Sequence, residues 1–175
     1  MKRFLKALTT LSLILVMVIS LTSCGYNFYN DWHSAGADIE KENIYVVITL
    51  EEAKKMKEEG QKFALIYASS SSSTSVDVIT TFQIQAEYLG NEDAKIYFID
   101  SSNYQAKEKR NEVRDAIKMH EAPSNGSPVV MTFKNGAVDV DTSNVNKVKT
   151  KEFIVDGDIK YSSLASYIFK ELLAE

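Results

Sequence analysis

The stretch that decides the fold joins an apolar run, Phe63-Ala64-Leu65-Ile66-Tyr67-Ala68, to a run of hydroxyl residues, Ser69-Ser70-Ser71-Ser72-Ser73-Thr74-Ser75. The apolar run is typical of a central strand that is buried on both faces of a sheet. The following segment, Val76 to Leu89, indicates a helix. A strand that turns directly into a helix brings unpaired N–H groups and the positive end of the helix dipole to the turn. In α/β proteins chemistry is often placed at such a turn, but here the turn offers only hydroxyl groups.

The composition indicates a globular protein with an acidic body. The chain has 175 residues, 45% of them hydrophobic, which is enough to bury a sizeable core. Its formal charge is −4, but residues 1–23 carry three basic residues and no acid, so the rest of the chain carries −7. Binding to nucleic acid rests on clustered Lys and Arg, which this chain lacks. We therefore expect no nucleic-acid partner.

Residues 1–23 are expected to be a signal peptide. A basic start is followed by an apolar stretch from Ala7 to Leu21, which is too short for a confident membrane-spanning helix. The stretch ends in Leu21-Thr22-Ser23-Cys24, which resembles the lipobox of bacterial lipoproteins. This resemblance implies that Cys24, the only cysteine, carries a lipid that anchors the protein to the extracytoplasmic face of the cell membrane. The alternative is an ordinary secretory signal with an incidental cysteine.

Residues 24–43 are expected to be a lipid-anchored tether. The segment is polar and has no sustained hydrophobic period, and as a flexible coil it would span on the order of 25 Å. It contains several aromatic or imidazole rings: Tyr26, Phe28, Tyr29, Trp32 and His33. These rings have two open interpretations: they rest at the membrane interface, or they lie against the folded domain or move freely in solvent.

Residues 44–175 are expected to form one α/β domain. The expected elements are a strand at Ile44–Ile48, a helix from Thr49 to Glu59 with a Thr49/Glu52 capping box, a strand at Phe63–Tyr67, a helix from Val76 to Leu89, a strand at Ala94–Asp100, a helix ending at His120, a strand at Val129–Lys134, an Asn135-Gly136 hairpin turn and a strand at Ala137–Asp141. Residues 142–160 are expected to be irregular, with a short strand at Phe153–Val155 before a last helix.

Hydrophobic spacing predicts which side of each helix is buried. The second helix should bury Val76, Ile79, Phe82, Ala86 and Leu89; the third Val113, Ala116, Ile117 and His120; the last Leu164, Ile168 and Leu172. Each set recurs at intervals of three or four residues, except for adjacent pairs.

This order of elements resembles the thioredoxin fold. Three segments are similar to the family's central strands and hairpin: Phe63 to Ala68, Lys95 to Asp100, and Gly126-Ser127-Pro128 with Val130 to Gly136. The resemblance implies a thioredoxin-like three-layer α/β/α domain with a central mixed sheet. It places the family's Cys-x-x-Cys motif at Ser71, Ser72, Ser73 and Thr74, and its proline at Pro128. It further implies a cis Ser127–Pro128 bond that leaves the backbone of Ser127 free to pair with a peptide.

Three parts of the family's redox apparatus are missing together. Serine and threonine replace both cysteines, Ser70 stands where an aromatic residue usually precedes the motif, and Leu65 stands where many members carry a buried acid. A serine hydroxyl would need an oriented histidine to act as a nucleophile. Only His33, in the tether, and His120, on a helix face, exist, so we expect no catalytic residues. The sequence also has no clustered metal ligands and no Walker-type glycine loop, so we expect no metal and no cofactor.

The function expected from these residues is binding. A membrane-anchored, extracytoplasmic, redox-inactive domain would hold an extended polypeptide or exported protein between Ser71–Thr74 and Ser127–Pro128, where the family docks peptides. The alternative is an accessory subunit of a thiol–disulfide redox or bacteriocin/protein export system whose cysteines lie in a partner. A third interpretation is a structural surface protein that uses no groove.

Overall fold

A computed structural model describes residues 27–147 and 153–172, which form an α/β fold around a mixed sheet. Residues 1–23 and Cys24 lie outside the described residues. The elements are α1 (Phe28–Ser34), β1 (Tyr45–Val47), α2 (Leu50–Glu58), β2 (Phe63–Ala68), α3 (Ser73–Tyr88), β3 (Ile96–Asp100), a 3-10 turn (Ser101–Tyr104), α4 (Lys107–Ile117), β4 (Val129–Lys134), β5 (Ala137–Asp141), a 3-10 turn (Val145–Lys147), β6 (Ile154–Val155), β7 (Asp158–Ile159), α5 (Tyr161–Tyr167) and a π turn (Ile168–Leu172).

The main sheet has five strands in the order β1-β3-β2-β4-β5. Strands β1, β3 and β2 are parallel, and β4 and β5 run antiparallel to their neighbours. All six residues of β2 are buried, because the strand lies in the middle of the sheet with helices over both faces. The central position that the apolar run predicts for this strand is therefore confirmed.

Alternate side chains of the sheet enter two separate cores. In β2, Ala64 and Ile66 pack under α1, α3 and α5, whereas Phe63 and Leu65 pack under α2 and α4. This alternation follows from the two-residue period of a strand. The sheet is thus the middle layer of three, and the strand–helix turns lie at its carboxyl edge.

Local signals in the sequence explain where several elements begin and end. The Thr49 side chain accepts the N–H of Glu52 while the Glu52 carboxylate accepts the N–H of Thr49, which confirms the capping box. Asn135 and Gly136 have φ angles of 54° and 75°, as a type I′ hairpin requires. The predicted antiparallel return of β5 is confirmed as well.

The expectation of a flexible tether is wrong for the part of residues 24–43 that the structure describes. Asn27 caps α1, and Phe28 and Trp32 are buried against the sheet. The ring of Trp32 meets the ring of Phe98 edge-on, with 5.5 Å between centroids. Of the two interpretations of these aromatic residues, contact with the domain is therefore correct for Phe28 and Trp32. The hydrophobic period was missed because α1 has only two turns.

Two predicted helix faces need correction. His120 is exposed, because α4 ends at Ile117 and its C-cap residue, Lys118, has a φ angle of 63° that turns the chain out of the helix. In α3, Val78 is fully buried, while Val76 and Leu89 are only partly buried. In the last helix Leu164 and Ile168 are buried as predicted, and the side chain of Leu172 lies outside the described residues.

Residues 154–159 form a small hairpin of β6 and β7 within the segment expected to be irregular. The short strand predicted near Phe153–Val155 is present as β6, but its partner β7 was not foreseen. Among the residues that the structure describes, no helix is both long enough and apolar enough to cross a membrane.

Candidate functional site

The serine turn, residues 69–75, is stabilised by hydrogen bonds between its own residues. Ser72 caps α3, because its side chain accepts the N–H of Ser75 at 3.4 Å, and its own N–H bonds to the carbonyl oxygen of Ser69 at 3.2 Å. The hydroxyls of Ser69 and Ser71 share a hydrogen bond of 2.9 Å. Capping and turn formation therefore engage three of the seven hydroxyl groups, those of Ser69, Ser71 and Ser72.

The proline loop, residues 123–128, faces this turn. The N–H of Ser127 bonds to the carbonyl oxygen of Ser124 at 3.2 Å, and Gly126 between them has a φ angle of 77°. The described residues contain no cis peptide bond, so the expected cis Ser127–Pro128 bond is wrong. The turn at 124–127 already redirects the chain into β4, and it engages the N–H of Ser127 that the cis interpretation left free for a peptide.

The serine turn and the proline loop are in direct contact. The Ser75 hydroxyl donates to the carbonyl oxygen of Gly126 at 3.5 Å. A Cβ built on Gly126 would lie 3.9 Å from the Cβ of Ser72. The two segments that the sequence predicted to lie together are therefore neighbours at the carboxyl edge of the sheet.

An open groove of about 480 Å³ lies beside the proline loop. It is lined by Thr74, Pro123, Ser124, Ser127, Pro128, Val129, Thr142, Ser143, Gly157, Asp158, Ile159 and Tyr161. Of the predicted site residues, Thr74, Ser127 and Pro128 line it. The groove is not lined by Ser71, Ser72 or Ser73. The side chain of Ser72 caps α3, and Ser71 and Ser73 are exposed outside the groove.

The second wall of the groove comes from residues that sequence reasoning did not assign to the site. Gly157, Asp158 and Ile159 belong to the β6–β7 hairpin, and Tyr161 begins α5. The only available signal was the short apolar strand at Phe153–Val155, whose spatial neighbours depend on a long-range contact. Burial raises the pKa of Tyr161, so its phenol group is neutral at physiological pH.

A buried carboxylate fixes the base of the groove. Asp141 is almost fully buried, and its side chain accepts the N–H groups of His120 and Ser143. Beside it, the Thr142 hydroxyl accepts the N–H of Val130 at 2.8 Å. These contacts hold residues 142 and 143 against β4, so the groove has a defined floor.

A larger cavity of about 800 Å³ lies elsewhere, along α3 toward its carboxyl end. It is lined by Glu40, Lys41, Glu42, Asn43, Tyr45, Gln83, Glu87, Glu92 and Asp93. Its buried polar groups are already satisfied: Gln83 donates to Glu87, and the Tyr45 hydroxyl donates to the carbonyl oxygen of Ile79. A wide, acidic and internally satisfied surface is a weaker candidate than the groove, which joins two predicted segments.

Nucleophilic catalysis finds no support in the described geometry. His33 and His120 are exposed, and none of the hydrogen bonds described for the serine turn involves either imidazole. In the described part of the chain, no three His, Cys, Asp or Glu side chains are grouped so that they could hold a metal ion. The arrangement suits recognition through hydroxyl, apolar and carboxylate contacts.

Comparison with protein-family models and with curated proteins gave no match. The function is therefore inferred from the residues of the chain and their geometry. What the structure establishes is an α/β fold with a five-stranded mixed sheet, in which a polar strand–helix turn meets a proline-bearing loop.

Proposed function

We propose that this chain is a lipid-anchored, extracytoplasmic, thioredoxin-like protein that binds an extended polypeptide in its groove without reacting with it. The observation that carries the binding proposal is the groove itself, which has one wall at Thr74, Ser127 and Pro128 and another at the β6–β7 hairpin. An open groove that presents hydroxyl groups from two separate loops suits a peptide segment that lies across the surface.

The thioredoxin-like assignment is supported by strand order and by the placement of the turn. The order β1-β3-β2-β4-β5, with the last two strands antiparallel, is the arrangement expected for that fold. The serine turn follows the central strand, and Pro128 precedes the next strand beside it. Ser71 and Thr74 occupy the positions of the family's cysteines, so thiol–disulfide exchange is not the activity we propose.

The mode of binding that we propose uses side chains and the rim of the groove. Pairing of a peptide with both backbone groups of Ser127 is not part of it, because the N–H of Ser127 is engaged by Ser124. Thr74 and Ser127 are exposed hydroxyl residues that can donate or accept, and the partly buried Ile159 and Tyr161 offer apolar contact. Such contacts favour modest affinity and broad sequence tolerance.

A blocked groove tests the binding proposal. Ser127→Trp fills the groove from an exposed position, and Ser163→Trp adds the same side chain at an exposed position of α5 outside it. We expect fluorescence anisotropy of a labelled unfolded polypeptide to show binding to the wild type and to Ser163→Trp, and at least about tenfold weaker binding to Ser127→Trp. Equal binding by all three proteins would contradict the proposal. Recovery of a dithiol enzyme as the partner crosslinked at the groove in intact cells would favour the accessory role instead.

The anchoring proposal rests on Cys24 and on its distance from the folded body. Only three residues separate Cys24 from the buried Phe28, so the lipid would lie within roughly 14 Å of the domain. Mass spectrometry of the mature protein should show a lipid-modified Cys24 at the N-terminus, and Cys24→Ala should release the protein or stall its processing. An unmodified Cys24 in the mature protein would contradict the anchor.

A further inference from the structure

We propose that the β6–β7 hairpin makes the groove selective for extended peptides that place a Lys or Arg side chain beside Asp158. This inference rests on the proposed function, because it names the class of peptide that the same groove takes. Two observations support this selectivity: the hairpin forms one wall of the groove, and Asp158 is the one charged residue among the described residues that line it.

The hairpin is a fixed wall. Ile154 pairs with Ile159 and Val155 with Asp158, and the turn between them has positive φ angles of 55° at Asp156 and 86° at Gly157. Its base is closed by a hydrogen bond of 2.8 Å from the N–H of Lys160 to the carbonyl oxygen of Phe153.

Burial anchors this wall to the rest of the fold. Phe153 is fully buried in the core under α3 and α5, and its ring lies 5.9 Å from that of Tyr167. Asp158 therefore lines the groove from a strand that is held by its pairing with β6 and by the burial of Phe153 next to β6.

Asp158 is the only charged residue among the twelve that line the groove. It is exposed, and within residues 27–147 and 153–172 no hydrogen bond or ion pair involves its carboxylate. The other polar lining residues are hydroxyl residues, which carry no charge. Among the described residues that line the groove, a peptide thus meets one carboxylate, that of Asp158, and no basic side chain; the Asp141 carboxylate below the floor is engaged by two backbone N–H groups.

The surroundings of Asp158 suit a long basic side chain. The partly buried Ile159 and Tyr161 line the same groove and can cover the aliphatic stem of Lys or Arg while its charged end stays at the rim. The body of the chain beyond residue 23 carries a formal charge of −7, which adds a general attraction for basic peptides. The local contribution of Asp158 can be separated from this general attraction by a matched variant.

The test uses three unfolded peptides that are identical except for one central residue, Arg, Gln or Glu. Wild type, Asp158→Asn and Asp156→Asn are titrated with each peptide. Asp156→Asn is the control, because it removes the same charge from the same hairpin at an exposed residue that does not line the groove. We expect wild type and Asp156→Asn to bind the Arg peptide about three- to fivefold tighter than the Gln peptide, and the Glu peptide weakest.

For Asp158→Asn we expect this preference to fall below about twofold, with affinity for the Gln peptide unchanged. Equal binding of the Arg and Gln peptides by the wild type would overturn the selectivity while leaving the proposed function intact. An equal loss of preference in both variants would also overturn it, since the effect would then come from overall charge. Failure of the wild type to bind any of the three peptides would refute the selectivity and the proposed function together.

Discussion

The hydroxyl oxygen of Ser75 lies 3.5 Å from the carbonyl oxygen of Gly126, to which it donates a hydrogen bond across 51 positions of sequence. Ser75 is fully buried in the first turn of α3, and Gly126 lies in the proline loop. The contact joins the strand–helix turn to the loop that enters β4. A buried hydroxyl group therefore links the serine turn to the proline loop at one wall of the groove.

Removing this hydroxyl should destabilise the fold. We expect Ser75→Ala to lower the free energy of unfolding by about 1 kcal/mol, because the Gly126 carbonyl loses a buried partner. Ser73→Ala is the control, since Ser73 is exposed in the same turn and alanine is the better helix former. Urea denaturation measures the free energy of unfolding of wild type and of both variants. An equal effect of the two substitutions would show that the contact contributes nothing specific.

Replacing the tryptophan of α1 should be far more costly. Trp32 is fully buried, so Trp32→Ala should lower the free energy of unfolding by about 3–5 kcal/mol, whereas Asn30→Ala on the exposed side of α1 should change it little. Trp32 is also the only tryptophan in the chain. Its fluorescence should be blue-shifted in the native protein and shift to the red on unfolding. Emission typical of a water-exposed indole in the native state would contradict the packing of α1.

Most of the fold could be predicted from local pattern. The buried run of β2, the Thr49/Glu52 capping box and the Asn135-Gly136 turn each act within a few residues, so the sequence shows them directly. Helix α1 was missed because its two apolar residues, Phe28 and Trp32, fill only one stripe of two turns. Such a short helix is stabilised by the core that it joins, and that core is assembled from distant strands.

The site could be predicted only in part. The resemblance to the thioredoxin fold placed Thr74 beside Ser127 and Pro128, and the structure brings all three to one groove. The proline geometry and the hairpin wall were not foreseen, because both depend on how residues 120–128 and 153–161 meet the end of the sheet. The burial of Phe153 is a tertiary contact that no local pattern records. The hydrogen bond from Ser127 to Ser124 is local, since Gly126 supplies the positive φ angle of that four-residue turn.

The buried carboxylate below the groove gives a third stability test. Asp141→Ala removes the acceptor of two backbone N–H groups, those of His120 and Ser143, and should lower the free energy of unfolding by about 1–3 kcal/mol. Asp93→Ala, at an exposed turn position, should change it by less than about 0.5 kcal/mol. Chemical denaturation at neutral pH measures the free energy of unfolding of Asp141→Ala and Asp93→Ala and so compares the two losses. A negligible effect of Asp141→Ala would mean that solvent or other groups replace its contacts.

Alkaline pH should destabilise the protein through its buried phenols. Burial raises the pKa of Tyr67 from 10.0 to about 12, so the unfolded chain ionises first as the pH rises. The stability is therefore intact below pH 10 and falls between pH 10 and 12, by at most about 2 kcal/mol for this residue.

Tyr67→Phe isolates this contribution. The difference in the free energy of unfolding between wild type and variant should be constant from pH 7 to 9 and should then move in favour of the variant above pH 10. Parallel pH profiles for the two proteins would contradict the assignment to Tyr67.

The measurement that tests the central proposal most directly is a map of amide chemical shifts during titration with an unfolded polypeptide. The account predicts that the amides of Thr74, residues 124–127 and residues 157–161 move together and saturate at one dissociation constant. If those amides stay still while residues 83–93 or another surface respond, the groove is not the binding site and the proposed function is contradicted.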